Sequence, residues 1–400
     1  MFSQRAQFAT EENALTQALA TRRARGLPVL DLTESNPTQV DLALPQSAMR
    51  AALAAGLDCA YEPNPLGLLS ARRAVAQHIA QLQRRGETGF APVPPEHVLL
   101  TASTSEAYAL LLTLLCNPGE RVLVPQPSYP LFGFLGQLND VQLDPWPSRY
   151  ADGWQIDVAA LRAAVTPQTR AILAVSPNNP TGAVLTRTEL ALLAELCQEH
   201  DLALIVDEVF ADTLRSPLGD GVATVAGHDA CLTFALGGLS KTCLLPHVKL
   251  AWTLISGPDH LVAEALARLE TMADTYLSAA TPIQRALPDL LDLVPMVQTV
   301  LRERLEGNLR FLQQAVRQTL LDVLPVAGGW SAMLRLPQPP GDRDWALFLL
   351  ETTGVLTHPG WYFDCDGDGW LVVSLLVVPE TFRIGVRALV AAVGTATTDS

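Results

Sequence analysis

Lysine is almost absent from this chain. Of 400 residues only Lys241 and Lys249 are lysine, both inside one nine-residue window, and arginine supplies the other 25 of 27 basic side chains. Positions that keep a primary amine in so lysine-poor a chain are positions that need one. Grouped positive charge is scarce too: Arg22-Arg23-Ala24-Arg25 is the one basic block, against a net charge of −14. That argues against a nucleic-acid partner, whose phosphates are met by clustered Lys and Arg. No apolar run reaches the roughly 18 residues of a membrane-spanning helix. Met1-Phe2-Ser3-Gln4-Arg5 lacks the apolar core of a secretion signal. The six cysteines (Cys59, Cys116, Cys197, Cys231, Cys243 and Cys365) show no Cys-x-x-Cys spacing. They read as small buried hydrophobes in a reducing compartment, not as disulfides or zinc ligands. The cytoplasm is the expected location.

At 49% hydrophobic, 400 residues are ample for a large core and too many for one pair of layers. We expect an N-terminal arm over 1–44 that joins a small C-terminal domain over 286–400, with a large domain over 45–285 between. Helices are predicted over 10–25, 43–57, 69–84 and 107–115. Short β-branched runs at 98–101, 122–124, 171–175, 203–206, 231–236 and 251–255 then alternate with helical stretches such as 187–199. This βαβ alternation predicts a mostly parallel sheet with helices on both faces. Helices over 258–272 and 289–320 follow. The tail reads strand, helix, strand, helix over 331–336, 345–352, 371–377 and 382–393, a smaller α+β domain. The run Asp364-Cys365-Asp366-Gly367-Asp368-Gly369 imitates the start of a calcium loop. Its twelfth position is Leu375 where glutamate is required, so it reads as an acidic turn.

Three of the predicted strands end in polar clusters. The 171–175 run leads into Ser176-Pro177-Asn178-Asn179-Pro180-Thr181-Gly182, the 203–206 run into Asp207-Glu208, and the 231–236 run into Gly237-Gly238-Leu239-Ser240-Lys241-Thr242. In open α/β sheets ligands sit at the carboxyl ends of the strands. An amide, a carboxylate and an amine therefore reach one crevice, the set that holds a pyridoxal phosphate ring. On Ser-Pro-Asn-Asn-Pro-Thr-Gly, Asp-Glu-Val-Phe and Ser-Lys-Thr, the chain resembles the fold-type-I pyridoxal-phosphate enzymes, specifically the class I and II aminotransferases. The resemblance runs from about residue 30 to about residue 390.

It implies the roles that follow. Lys241 forms the Schiff base with the cofactor and shuttles the substrate proton. Asp207 pairs with the pyridine nitrogen, and Asn179 bonds the phenolic oxygen. Ser103, Thr104 and Ser105 meet the phosphate at a helix N-terminus, with Ser240 as a further contact. Tyr129 stacks on the cofactor. Tyr61 reaches the phosphate of a neighbouring subunit, which implies a homodimer with a shared site. An amino donor and a keto acceptor are the implied small-molecule partners.

Three positions depart from the family pattern. Lys249 stands where a phosphate-gripping arginine is usual, and lysine lacks the two-pronged geometry. Phe210 stands where a tyrosine usually donates to the phenolic oxygen. Its loss leaves Asn179 alone there, and the bound amine is expected to hold its proton more tightly. Val372 stands where an arginine usually grips the substrate carboxylate. Glu34, Asn36 and His247 are candidate pocket groups, while Arg383 and Arg387 read as surface charges. The expected activity is transfer of an amino group between a donor and a keto acid or aldehyde. A lyase, decarboxylase or oxidase acting on an atypical substrate is the alternative, since the cofactor performs the bond breaking. A cofactor-binding regulator is expected to carry a basic DNA-binding module, and no such segment is read here.

Overall fold

Continuous apolar runs become strands buried on both faces, as parallel sheets demand. The computed structural model describes residues 1–8, 12–337 and 344–398. Its strands are β1 (Leu30–Asp31), β2 (Val98–Thr101), β3 (Arg121–Gln126), β4 (Gln142–Tyr150), β5 (Trp154–Ile156), β6 (Thr169–Val175) and β7 (Ala203–Asp207). The rest are β8 (Thr233–Gly238), β9 (Ala251–Ser256), β10 (Asp322–Val323), β11 (Ser331–Arg335), β12 (Val355–Leu356), β13 (His358–Pro359) and β14 (Trp370–Ser374). Every residue of β2, β7, β8 and β9 is buried.

Eight strands form the large sheet, in the order β2-β9-β8-β7-β6-β3-β4-β5. From β8 through β7, β6 and β3 to β4 the pairing is parallel, while β9 runs antiparallel to both β8 and β2. The carboxyl ends of β2, β3, β6, β7 and β8 therefore share one edge. Alternate residues feed two cores, with Ile172, Leu204 and Val206 on one face and Leu173, Ile205 and Phe234 on the other. The smaller sheet is antiparallel, β10-β11-β14-β13. The two chain ends meet there. β1 pairs parallel with β12, and Ser374 N–H donates to the Leu32 carbonyl at 2.7 Å.

Several boundaries differ from the sequence reading. The first helix runs Ala14–Ala24, capped by the Asn13 side chain, and residues 9–11 lie outside the described residues. Pro45 caps the second helix, which starts at Gln46. The expected long helix over 289–320 is instead two, Thr281–Asp292 and Val294–Ala315. Pro295 opens the second, because a ring without an N–H suits a first turn. The helix before it packs on Gln46–Leu57 so closely that a Cβ at Gly56 would stand 2.2 Å from the Pro282 carbonyl. Sequence reading passed over β4, which carries Pro145 and Pro147 close to the sheet edge.

Candidate active site

Each of those carboxyl ends brings a polar group to one cavity of about 620 Å³. β7 ends on Asp207. Its Oδ2 accepts from the Tyr108 hydroxyl at 2.8 Å and its Oδ1 from the Val209 amide at 3.0 Å. Burial pushes this carboxyl above its ordinary 3.8, against the opposing pull of Val209, Tyr108 and the Lys241 charge. Each oxygen keeps acceptor capacity for a further donor.

β8 ends in Gly237 and Gly238. A Cβ at Gly237 would lie 2.3 Å from the Trp252 indole nitrogen, so only glycine lets β8 and β9 pair here. The chain then turns into the short helix Leu239–Thr242, which carries Ser240 and Lys241 into the cavity. The Lys241 amine sits 4.3 Å from the Trp330 ring centre and 5.5 Å from that of Phe210. Those two rings meet edge to face at 5.0 Å. Nζ has no hydrogen-bond or ion-pair partner among the described residues. Burial, opposed by the Asp207 carboxylate, lowers the amine to about 8 from its ordinary 10.5. The uncharged amine is the nucleophile, so acylation of Lys241 in cofactor-free protein is expected to rise with pH through a midpoint near 8. Peptide mass mapping separates it from Lys249; a midpoint at 10 or above would refute the assignment.

The remaining ends add amides and hydroxyls. Asn179 lies in the 176–182 turn after β6, and its Oδ1 accepts from the Ser331 hydroxyl at 3.1 Å. Asn178 is buried and structural, its Oδ1 accepting from Thr181 N–H and O–H. After β2, Ser103 caps the 12-residue helix Thr104–Leu115 by accepting from the Glu106 amide at 3.1 Å. Thr104 and Ser105 occupy its first turn, where backbone N–H groups lack helical partners. Tyr129, after β3, is 41% exposed and edge-on to Phe132. Lys249 lines the same cavity from a left-handed backbone (φ 61°), which costs an L-residue about 1–2 kcal/mol.

The facing wall comes from the two ends of the chain. Asp31, Glu34, His358, Tyr362 and Val372 belong to it. Val372 pairs in register with Met333 and His358, and packs against Met333 and Phe363.

Of the sequence-predicted residues, Ser103, Thr104, Ser105, Tyr129, Asn179, Asp207, Phe210, Ser240, Lys241, Lys249 and Glu34 all line the cavity. Tyr61 does not; it is 70% exposed. Asn36 and His247 are also exposed and outside it, because Asn36 turns its Oδ1 back onto the Thr38 amide. Arg383 and Arg387 lie exposed beside Phe311. Sequence reading missed Tyr108, Trp330, Ser331 and His358. A hint existed for Trp330, which follows Gly328-Gly329 at the mouth of a strand.

Residues 28–390 match the family described as aminotransferase class I and II. The chain belongs to that family. It is 28% identical to alanine aminotransferase of Mycobacterium tuberculosis over 310 residues, 77% of this chain and 70% of that protein. It is 28% identical over 386 residues to nicotianamine aminotransferase A of Hordeum vulgare, covering 90% of this chain and 79% of that one. The solved alanine aminotransferase of Pyrococcus furiosus shares the fold, with a TM-score of 0.84, 22% identity and full coverage of both chains. The protein is a pyridoxal-phosphate-dependent aminotransferase of fold type I.

The donor set fits that cofactor. A buried carboxylate with spare acceptor capacity suits a protonated ring nitrogen. An amine with no protein partner suits an aldehyde. Hydroxyls, first-turn amides and the Lys249 ammonium suit a phosphate.

Proposed function

We propose that this aminotransferase moves an amino group between an amino donor and a keto acid or aldehyde, with Lys241 as the residue that joins the cofactor aldehyde. The observation that carries the assignment is the convergence of Lys241, Asp207 and Asn179 on one cavity. When bound, pyridoxal phosphate supplies an aldehyde that captures amines and a ring that accepts electron density. Asp207, fixed in place by Tyr108 and Val209, would hold a proton at the ring nitrogen. Asn179, whose carbonyl accepts from Ser331, would donate to the phenolic oxygen through its amide nitrogen. Phe210 offers no donor beside it. Ser103, Thr104, Ser105, Ser240 and Lys249 would hold the phosphate, and Tyr129 would cover the ring. Lys241, low in pKa and bare of partners, takes and returns the substrate proton.

Val372 gives the substrate end an apolar surface, so recognition there differs from an arginine grip. We place the domain divisions at 1–44, 45–285 and 286–400, the first joining the last through β1 and β12. Tyr61 is proposed to act in a second subunit of a cytoplasmic homodimer; its exposure in one chain leaves it available. The test is absorption spectroscopy of the cofactor-loaded protein. A donor that bleaches the cofactor band, followed by a keto acid or aldehyde that restores it, establishes transamination. A band that shifts and is never restored rejects it.

A further inference from the structure

The wall built from both chain ends carries a polar ring without a partner. His358 stands in β13 as the register partner of Val372. Its half-buried ring lies face to face on Tyr362, 5.0 Å apart and 8° from parallel, with the edge of Phe363 at 5.7 Å. Two aromatic contacts fix its plane. Neither ring nitrogen has a hydrogen-bond partner among the described residues. Val372 beside it is apolar and packed, and Asp31 and Glu34 on the same wall only accept, so a positive donor on this surface falls to the imidazole.

Charge points the same way. Among the described residues lining the cavity, those able to carry positive charge are Lys241, Lys249 and His358. On the reading above, Lys241 is committed to the aldehyde and Lys249 to the phosphate. His358 remains free. Burial lowers the pKa of its imidazolium below the ordinary 6.5, opposed in part by the Asp31 carboxylate. Asp31 is placed for this because it pairs with Leu356, two residues before His358 in the chain, and lines the same cavity. Its Oδ1 is already engaged by the Thr33 amide and hydroxyl. A second carboxylate arriving from the cavity offsets the remaining burial penalty and completes a charge-assisted bond.

We propose that His358 is a specificity-determining residue that hydrogen-bonds the carboxylate of the amino-acid or keto-acid substrate, held in plane by Tyr362. The proposal rests on the aminotransferase reading of the cavity. Its probes are propionate and propionamide, which share a shape and differ in charge. Both are titrated into cofactor-loaded protein by calorimetry. Wild type is expected to bind propionate about tenfold or more tightly than propionamide. His358→Leu is expected to lose that preference, and His358→Asn, which keeps a donor without charge, to retain part of it. Retention of the full preference in both variants overturns the proposal, and so does equal binding of the two probes by wild type. An intact cofactor band certifies the fold of each variant, and His358→Asn carries the test if the leucine variant misfolds. Failure of the aminotransferase reading looks different: no amino donor bleaches the band, while the carboxylate preference stands.

Discussion

Lys241→Ala is expected to lower the rate of amino transfer by about 10²–10⁴-fold while leaving the fold intact. The only other lysine, Lys249, lies eight residues on and is assigned above to the phosphate. The fold survives because Nζ makes no hydrogen bond that would be orphaned, and the methyl of alanine fits the short helix Leu239–Thr242. Single-turnover kinetics and a thermal melt check the two halves separately. A variant that melts like wild type and turns over within tenfold of it would remove Lys241 from the mechanism.

Asp207→Asn is expected to lower the same rate by about 10²–10³-fold, the loss that follows removal of one preorganised electrostatic partner. Asparagine keeps the size and presents one carbonyl oxygen where aspartate presented two. Either the Tyr108 hydroxyl or the Val209 amide then loses its acceptor, which costs about 1–3 kcal/mol of stability. Burial already disfavours the Asp207 charge, so loss of that charge relieves part of this cost. Rate should therefore fall far more than stability. Comparable losses in both would mean that Asp207 is structural and the chemistry runs without it.

Legibility differed between the two walls of the cavity. The strand-end wall was readable because each group follows a β-branched run by a fixed few residues: Asn179, Asp207 and Lys241 are local consequences of local sequence. Ser103 was readable as lying at a helix N-terminus for the same reason, though the helix starts at Thr104, three residues before the predicted 107. The other wall depends on pairings between residues far apart in the chain. Nothing near His358 says that β13 lies beside Val372, and nothing near Asp31 says that β1 lies beside β12. Tyr108 was hidden differently. Its position in the Thr104–Leu115 helix reads as core, and its hydroxyl matters only once β7 is known to end beside it. Asn36 and His247 were misjudged because local turns, such as the Asn36 bond to Thr38, point polar side chains outward.

The marriage of β1 to β12 has a consequence for biosynthesis. Leu30 leaves the ribosome early and waits for Val355. At about 5–20 residues per second that wait lasts roughly 15–65 s. Meanwhile β2 through β9, with Asp207 and Lys241, are already synthesised. The nascent chain thus holds the residues proposed for the cofactor before the wall that faces them is complete. Cofactor capture on the ribosome would meet an open half-site, and the substrate end would be the last part of the enzyme to come into being.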